Sequence, residues 1–305
     1  MELLRIVADN RNPFLDTFFG FITRFGEETI LIVIMCLFFW CINKQMAYIM
    51  ATVFFLSSLV VQGMKIIFRL DRPWVIDPTF QPVEGSVSAA TGYTFPSGHT
   101  QNAAAILGSL GAQIKPYIFK IIFFTIAILV AASRIYLGVH FISDVIASLL
   151  ITFGILWLVK RFFPNEPKDD KSNKCRKKEL LWSGIIAGIA ILVLIIATVS
   201  YHTGLSESYQ LRDAVRSSGG AIAFAIGMYI ERVYIRFSVK TKYLWLQPIK
   251  LILGLVGLIA IQEGGRLIGT TLVIDTFRYF FMVTWLIVVY PIIIKRFFSA
   301  CFISS

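Results

Sequence analysis

Charged residues are scarce in this chain of 305 residues, in which Asp, Glu, Lys and Arg together make up 15%. A soluble domain carries about 25%, whereas 57% of this sequence is hydrophobic and its mean hydropathy is +0.74. The composition excludes an ordinary soluble domain and indicates an integral membrane protein. The net charge of +11 then indicates basic loops that face the cytoplasm and anionic lipid, rather than a nucleic acid partner.

Cysteine and histidine are rare as well. The four cysteines have no spacing typical of a zinc site or of a disulfide framework, so we expect them to be packing or surface residues. The first fourteen residues contain no uninterrupted apolar stretch, and we therefore expect no cleavable signal peptide. Only three histidines occur, and two of them, His99 and His140, lie beside the ends of apolar segments.

Apolar segments of the length needed to cross a membrane, about 20 residues, are abundant. The sequence predicts nine spans, at roughly 28–44, 46–65, 100–114, 117–133, 141–159, 180–200, 219–235, 247–262 and 277–294. Ahead of them, residues 12–27 carry Phe, Leu and Ile at helical spacing, which predicts an amphipathic helix in the membrane interface.

The lysines give the orientation of these spans. If nine spans alternate in direction, thirteen of the fourteen lysines fall in loops on one side, and Lys65 is the exception. The positive-inside rule makes that side cytoplasmic, with the N-terminus outside and the C-terminus inside. The charged segment 160–179 is then predicted to be a basic cytoplasmic linker between a region at 1–159 and further transmembrane helices at 180–305.

Polar residues at the outer ends of the spans form the candidate site. Lys65, Arg69 and Arg72 close the second span, and their spacing of four and three predicts one shared helix face that ends at Pro73. The tetrapeptide "PSGH" (96–99) opens the third span. Its serine is a helix cap, its glycine allows close approach to the backbone, and its free N–H groups favour an anion.

Two further clusters complete the set. Arg134 closes the fourth span, while His140 and Asp144 open the fifth at a separation of four residues, which predicts contact on one helix face. A carboxylate on one ring nitrogen leaves the other nitrogen free to attack or to take a proton. Two histidines, an aspartate, several cations and a helix N-terminus on one membrane face are what phosphoryl transfer requires. No group of potential ligands predicts a metal or another cofactor.

The segments "KIIFRLDRP" (65–73), "PSGH" (96–99) and "SRIYLGVHFISD" (133–144) resemble the three signature motifs of the type-2 phosphatidic acid phosphatase superfamily. The resemblance covers residues 14–159. It implies an all-α polytopic membrane protein with a six-helix core, made of an interfacial helix and five spans. About four extra transmembrane helices follow that core.

The resemblance also implies a role for each matching residue. It makes His140 the nucleophile that forms a phosphohistidine, Asp144 the group that orients it, and His99 the general acid. It assigns phosphate binding to Lys65, Arg72, Arg134, Ser97 and Gly98. Arg69 lies within the first segment but is not one of the fixed residues of its pattern, so it has no implied role.

We therefore expect a multi-pass enzyme of the cell membrane that removes phosphate from a lipid phosphate or pyrophosphate at the outer leaflet, without a metal. Undecaprenyl pyrophosphate, phosphatidic acid and phosphatidylglycerol phosphate are candidate substrates, since the motifs bind the phosphate and not the tail. A lipid phosphotransferase with the same site and a transporter that only binds lipid phosphate remain alternatives. The predicted outer loop 201–220, with Arg212 and Arg216, is hypothesised to line or cover the entrance. The sequence gives no indication of oligomeric state.

Overall fold

The structure, a computed structural model, describes residues 1–88, 90–164, 173–241, 243–269 and 271–297. Within these ranges the chain is helical and has no β-strand, which confirms the predicted all-α fold class. The helices are α1 (Glu2–Asp9), α2 (Pro13–Ile22), α3 (Glu28–Leu37), α4 (Lys44–Phe68), α5 (Pro73–Ile76), α6 (Gly98–Ala103), α7 (Ser109–Gln113), α8 (Tyr117–Tyr136), α9 (Ile142–Phe162), α10 (Asn173–His202), α11 (Ser208–Ile230), α12 (Leu246–Ile268), α13 (Leu272–Thr284) and α14 (Tyr290–Phe297). Turns of π-helix join α6 to α7 and α13 to α14.

Helices occur at all nine positions where spans were predicted. Within the described ranges, six helical segments are long and apolar enough to cross a membrane, or seven if the bent pair Pro13–Gly26 and Glu28–Ile42 forms one span. The segment from α6 to α7 and helix α11 are not among them. The chain is therefore a multi-pass membrane protein, whereas the number of extra helices after the core stays a prediction. Of the predicted linker, residues 165–172 lie outside the described ranges.

The N-terminal segment packs against the end of α8. Asn12 caps α2 by accepting a hydrogen bond from the Leu15 amide at 3.0 Å, and Pro13 occupies the first helical position, where its missing N–H costs nothing. The Phe19 ring stacks on Tyr136 with 4.4 Å between centroids. The helix predicted within 12–27 is present, and its location in the membrane interface stays a prediction.

Helix α4 lies at the centre of the bundle. It packs against α9 on one side and against α10 and α11 on another, and its buried residues occur on every face, as expected for a helix enclosed by others. Because α10 and α11 follow the predicted linker, the second half of the chain is bound directly to the first half through α4.

One end of the bundle gathers lysines that were predicted to share a side. The Lys44 ammonium donates a hydrogen bond to the Phe237 carbonyl at 2.6 Å, and Lys250 donates to the Val239 carbonyl at 2.9 Å. Lys295 donates to a carbonyl of the same segment, that of Ile235. These contacts show that loops widely separated in sequence lie together, at the end of α4 opposite Lys65.

A buried network of charges joins α4 to α11 at this end. Glu231 is fully buried and accepts hydrogen bonds from Lys44 at 2.8 Å, Tyr48 at 2.5 Å and the Phe237 amide at 2.8 Å. The adjacent Arg232 forms a salt bridge with Glu179 of α10 at 2.8 Å, and both side chains are 1% exposed. The network therefore ties the start of α4 to the helices of the second half.

We expect Glu231→Gln to lower the free energy of unfolding by about 3–5 kcal/mol, because it removes the negative charge beside the buried Lys44 ammonium. Chemical unfolding of the purified protein in detergent measures this change. The matched control is Glu263→Gln, since the Glu263–Arg266 pair is more than half exposed and a surface pair contributes about 0–1 kcal/mol. Equal losses in the two variants would contradict a stabilising role of the buried network.

Candidate active site

A single cavity of about 470 Å³ collects most of the predicted site residues. Six of the eight predicted residues line it, namely Lys65, Arg72, Gly98, His99, Arg134 and His140. The other two, Ser97 and Asp144, do not line the cavity but adjoin residues that do. The Ser97 amide donates a hydrogen bond to the Asp144 carbonyl at 3.3 Å. Four segments far apart in sequence therefore meet around one space.

His140 occupies the turn between α8 and α9 and is 2% exposed. Its Nδ1 lies 3.3 Å from the Asp144 Oδ2, and its Nε2 lies 3.0 Å from Nη1 of Arg72. Because a guanidinium can only donate, Nε2 is the acceptor, and the ring proton resides on Nδ1. Burial, together with the charges of Arg72 and Arg134, holds the pKa of His140 well below its usual range. The ring is therefore neutral, and its Nε2 accepts the hydrogen bond of Arg72 at the cavity that His140 lines.

The predicted contact between His140 and Asp144 is present, but the two residues do not share a helix. Helix α9 begins at Ile142, so His140 precedes it and Asp144 lies in its first turn. The Asp144 carboxylate accepts a hydrogen bond from the Phe141 amide at 2.8 Å. This capping interaction fixes the carboxylate at the helix start and directs it towards the imidazole.

Thr94 is a member of the site that the sequence analysis missed. It is completely buried, and its hydroxyl donates to the Asp144 Oδ2 at 2.5 Å. The Thr94 hydroxyl oxygen also lies 3.2 Å from Nδ1 of His140. The Thr94 amide donates to the Leu70 carbonyl at 2.8 Å, which fixes its backbone beside the end of α4. The threonine therefore supports the orientation of the carboxylate and the ring together.

Arg72 is held in place by backbone carbonyls. Its guanidinium donates to the carbonyl groups of Gly92 at 2.8 Å, Val139 at 2.9 Å and Thr91 at 2.7 Å, in addition to the contact with His140. Only a planar guanidinium can satisfy several acceptors in fixed directions at once. This arginine therefore joins the loop before α6 to the turn that carries His140.

Arg134 and Lys65 place cations in the cavity, whose lining also includes the carboxylates of Glu27, Glu28 and Asp213. Arg134 is 1% exposed, and only its Nη1 has a partner in the described chain, the Thr23 hydroxyl at 2.7 Å. Lys65 is 8% exposed and has no hydrogen bond or salt bridge among the described residues. Buried cations normally have partners, so these N–H groups indicate space for an anion in the cavity.

The "PSGH" segment begins a helix as predicted, with Ser97 at the cap position and Gly98 as the first helical residue. The Ser97 side chain does not bond to the helix start and instead accepts from the Thr100 hydroxyl at 3.0 Å. Around Gly98, the position of a Cβ has no atom within 4 Å. Phosphate binding by Ser97 and Gly98 stays a prediction.

Gly26 fixes the backbone of His99. A Cβ at Gly26 would lie 2.9 Å from the His99 carbonyl oxygen and 2.9 Å from Val130, so only glycine fits this break between α2 and α3. The Asn102 side chain donates to the Gly26 carbonyl at 3.2 Å. The N-terminal segment thereby holds the start of α6 at a fixed position beside the cavity.

The prediction that Lys65, Arg69 and Arg72 share one helix face is wrong. Helix α4 ends at Phe68, because Arg69 adopts a left-handed conformation with φ of 47° and stops the helix. Arg72 follows in extended backbone and enters the site from a loop. Arg69 points elsewhere, and its guanidinium donates to the Leu205 carbonyl at 3.1 Å.

The predicted loop 201–220 is also mostly helix, because α10 extends to His202 and α11 begins at Ser208. Arg216 therefore lies on α11, where it lines the cavity and forms a salt bridge of 2.7 Å with the fully buried Asp275. Arg212 lies 3.8 Å from the same carboxylate. The polar residues of this segment form a wall of the cavity rather than a loop that covers it.

The described residues contain no group of three or more His, Cys, Asp or Glu side chains placed to hold a metal ion.

Comparison with known proteins gives two family matches. Residues 45–168 match the PAP2 superfamily, and residues 215–301 match the family described as "PAP2 superfamily phosphatase, transmembrane extension". The first range contains every residue of the candidate site. The second begins within α11, next to Arg216.

The chain is also similar to individual proteins. Phosphatidylglycerophosphatase B of Bacillus subtilis is 29% identical over 55% of this chain and 82% of that protein. Sphingosine-1-phosphate phosphatase 1 of Mus musculus is 27% identical over 68% of this chain, which spans about half (49%) of the mouse protein. The crystal structure of Aquifex aeolicus LpxE is 27% identical, covers 53% of this chain and 94% of its own, and has a TM-score of 0.48.

Proposed function

The chain belongs to the PAP2 superfamily, and we propose that it is an integral membrane phosphatase that hydrolyses lipid phosphates or pyrophosphates through a phosphohistidine on His140. The single observation that carries this proposal is the geometry of that histidine. A neutral imidazole, with its proton on Nδ1 directed at Asp144 and its Nε2 accepting a hydrogen bond from Arg72 beside a cavity with cations, has the form of a nucleophile held for attack.

In the proposed first step, the Nε2 lone pair of His140 attacks the terminal phosphorus. The bond that breaks joins this phosphorus to the oxygen of the leaving alcohol or, in a pyrophosphate, to the oxygen of the leaving lipid phosphate. His99, which lines the same cavity, gives a proton to that leaving oxygen. In the second step water attacks the phosphohistidine, His99 accepts the proton of the water, and inorganic phosphate leaves. Asp144 stabilises the positive charge that the imidazole acquires while it carries the phosphoryl group.

The cations act on the equatorial oxygens of the phosphoryl group. The unpartnered N–H groups of Arg134 and the ammonium of Lys65 supply donors, and Arg72 can exchange its hydrogen bond with Nε2 for one to the phosphate. Preorganised donors of this kind stabilise the charge of the transition state without reorganisation. We propose on this basis that the reaction is independent of metal ions.

We further propose that the site faces the outer leaflet of the cell membrane. The lysines gather at the opposite end of α4, and the positive-inside rule makes that end cytoplasmic. A site at helix ends holds a phosphate at head-group depth while the tail stays among the helices. Phosphatidic acid, phosphatidylglycerol phosphate and undecaprenyl pyrophosphate all present a phosphate of this kind.

Release of inorganic phosphate from these three lipids by the purified protein in detergent tests the proposal, with and without EDTA. We expect turnover of at least one lipid and no loss of rate with chelator. Loss of activity in EDTA, restored by added metal, would contradict the metal-free mechanism. Transfer of labelled phosphate to an added lipid or sugar alcohol, instead of to water, would identify a phosphotransferase. Binding without turnover would favour a transporter.

A further inference from the structure

The cavity that holds the two histidines continues away from them as a slot along α4. Ser58, Phe54 and Ala51 line it in succession beyond Lys65. At a rise of 1.5 Å per residue, Ser58 lies about 10 Å and Ala51 about 21 Å from Lys65 along the helix. The slot therefore extends through about two thirds of a hydrocarbon core that is roughly 30 Å thick.

Part of the lining of this slot comes from the second half of the chain. Ser217 and Gly220 of α11 and Leu286, which follows α13, line the same space. The Ser58 hydroxyl donates to the Ser217 hydroxyl at 3.3 Å, and a Cβ at Gly220 would lie 3.2 Å from the Phe55 ring. Helices α4 and α11 are therefore in contact along one edge of the slot, and the slot runs beside that contact.

Aromatic residues close the far end of the slot. Tyr48 lines it and is 1% exposed, and its ring contacts Phe39 edge-on at 5.4 Å and Phe224 at 6.4 Å. The Tyr48 hydroxyl donates to the buried Glu231 at 2.5 Å, so the ring cannot swing aside without breaking that bond. The slot has a fixed end as well as fixed walls.

We propose that this slot, lined by Ser58, Phe54, Ala51, Ser217, Gly220 and Leu286 and closed by Tyr48, holds one hydrocarbon chain of the substrate and limits its length. The inference rests on the proposed function and narrows its substrate class to lipid phosphates with acyl or alkyl chains, as opposed to long polyprenyl chains. The slot opens on the cations, and its lining is apolar at Phe54, Ala51, Gly220 and Leu286 and polar at Ser58 and Ser217. A phosphate bound at Lys65 therefore directs the attached chain into it. Each enclosed methylene group contributes about fourfold in affinity.

Substitutions that plug the slot at two depths test the inference. The substrates are octyl, dodecyl, hexadecyl and eicosyl phosphate in mixed micelles. Undecaprenyl pyrophosphate is tested beside them as the substrate with a polyprenyl chain. In the unmodified protein we expect kcat/KM to rise with chain length and to stop rising once the chain reaches Tyr48. Ser58→Leu should lower kcat/KM for dodecyl and longer chains at least about tenfold. Ala51→Phe should do so only for hexadecyl and longer chains, and both should spare octyl phosphate.

The matched control is Val60→Phe, because Val60 is half-buried on α4 but is not part of the slot lining. It should leave the dependence on chain length unchanged, and turnover of octyl phosphate reports that each variant is folded. If kcat/KM depends on chain length in the same way in all variants, the proposed slot is overturned while the proposed phosphatase function stands. Fastest turnover of undecaprenyl pyrophosphate, unchanged by Ala51→Phe, would overturn it as well. No phosphate release from any substrate by the unmodified protein would instead overturn the proposed function.

Discussion

Replacing His140 with asparagine is expected to lower the rate of phosphate release by about 10⁴- to 10⁶-fold, the scale of loss when a nucleophile is removed from a preorganised site. Asparagine is close in size to the imidazole and can keep a hydrogen bond to Asp144, so the fold and the cation arrangement should survive. What it lacks is a nitrogen lone pair that can attack phosphorus. The loss should appear in kcat, with substrate binding little changed.

Steady-state phosphate release measures this loss, and quenching under alkaline conditions measures the labelled phosphohistidine. His140→Asn should form no labelled protein. The control is His202→Asn, since His202 is exposed at the end of α10 and should retain full rate and labelling. If His140→Asn keeps more than a tenth of the rate, attack by His140 is refuted. Survival of labelling in that variant would place the covalent step on another residue.

The sequence predicts the members of the site well, because each motif contains several fixed residues within a few turns of chain. Two features are local in sequence: the spacing from His140 to Asp144, and the glycine and histidine that follow Ser97. They are present in any fold that brings the segments together. The alternation of spans then predicts that the segments meet on one side. In the structure Lys65, Arg72, His99 and His140 line one cavity, and their place on one side of a membrane stays a prediction.

Thr94 could not be predicted, because its role depends on distant contacts. Its hydroxyl reaches Asp144 only because the loop before α6 is held by the carbonyl contacts of Arg72, and no local spacing reports that arrangement. The end of α4 was missed for a different reason. The left-handed residue that ends a helix is usually a glycine, which can be recognised in the sequence. Here the left-handed residue is Arg69, which gives no such signal. For segment 201–220 the sequence predicts a polar loop at the entrance, whereas Arg216 lines the cavity from helix α11.

His99→Asn is expected to lower turnover of alkyl phosphates by about 10²- to 10⁴-fold, the contribution of a general acid to a reaction with a poor leaving group. The backbone at this position is fixed by contact with Gly26, so the substitution should change the side chain alone. The same variant should lose less than about tenfold with 4-nitrophenyl phosphate, because that leaving group departs without a proton.

The contrast between the two substrates separates proton transfer from phosphate binding. A residue that only holds the phosphate contributes equally to both, since both present the same phosphoryl group. His140→Asn is the internal reference, because a nucleophile is needed for either substrate and its loss should abolish both rates. Equal losses with the alkyl and the aryl phosphate in His99→Asn would remove the general-acid role and leave His99 as a ligand of the phosphate. A selective loss with the alkyl phosphate would support delivery of a proton by His99, which lines the same cavity as the nucleophile.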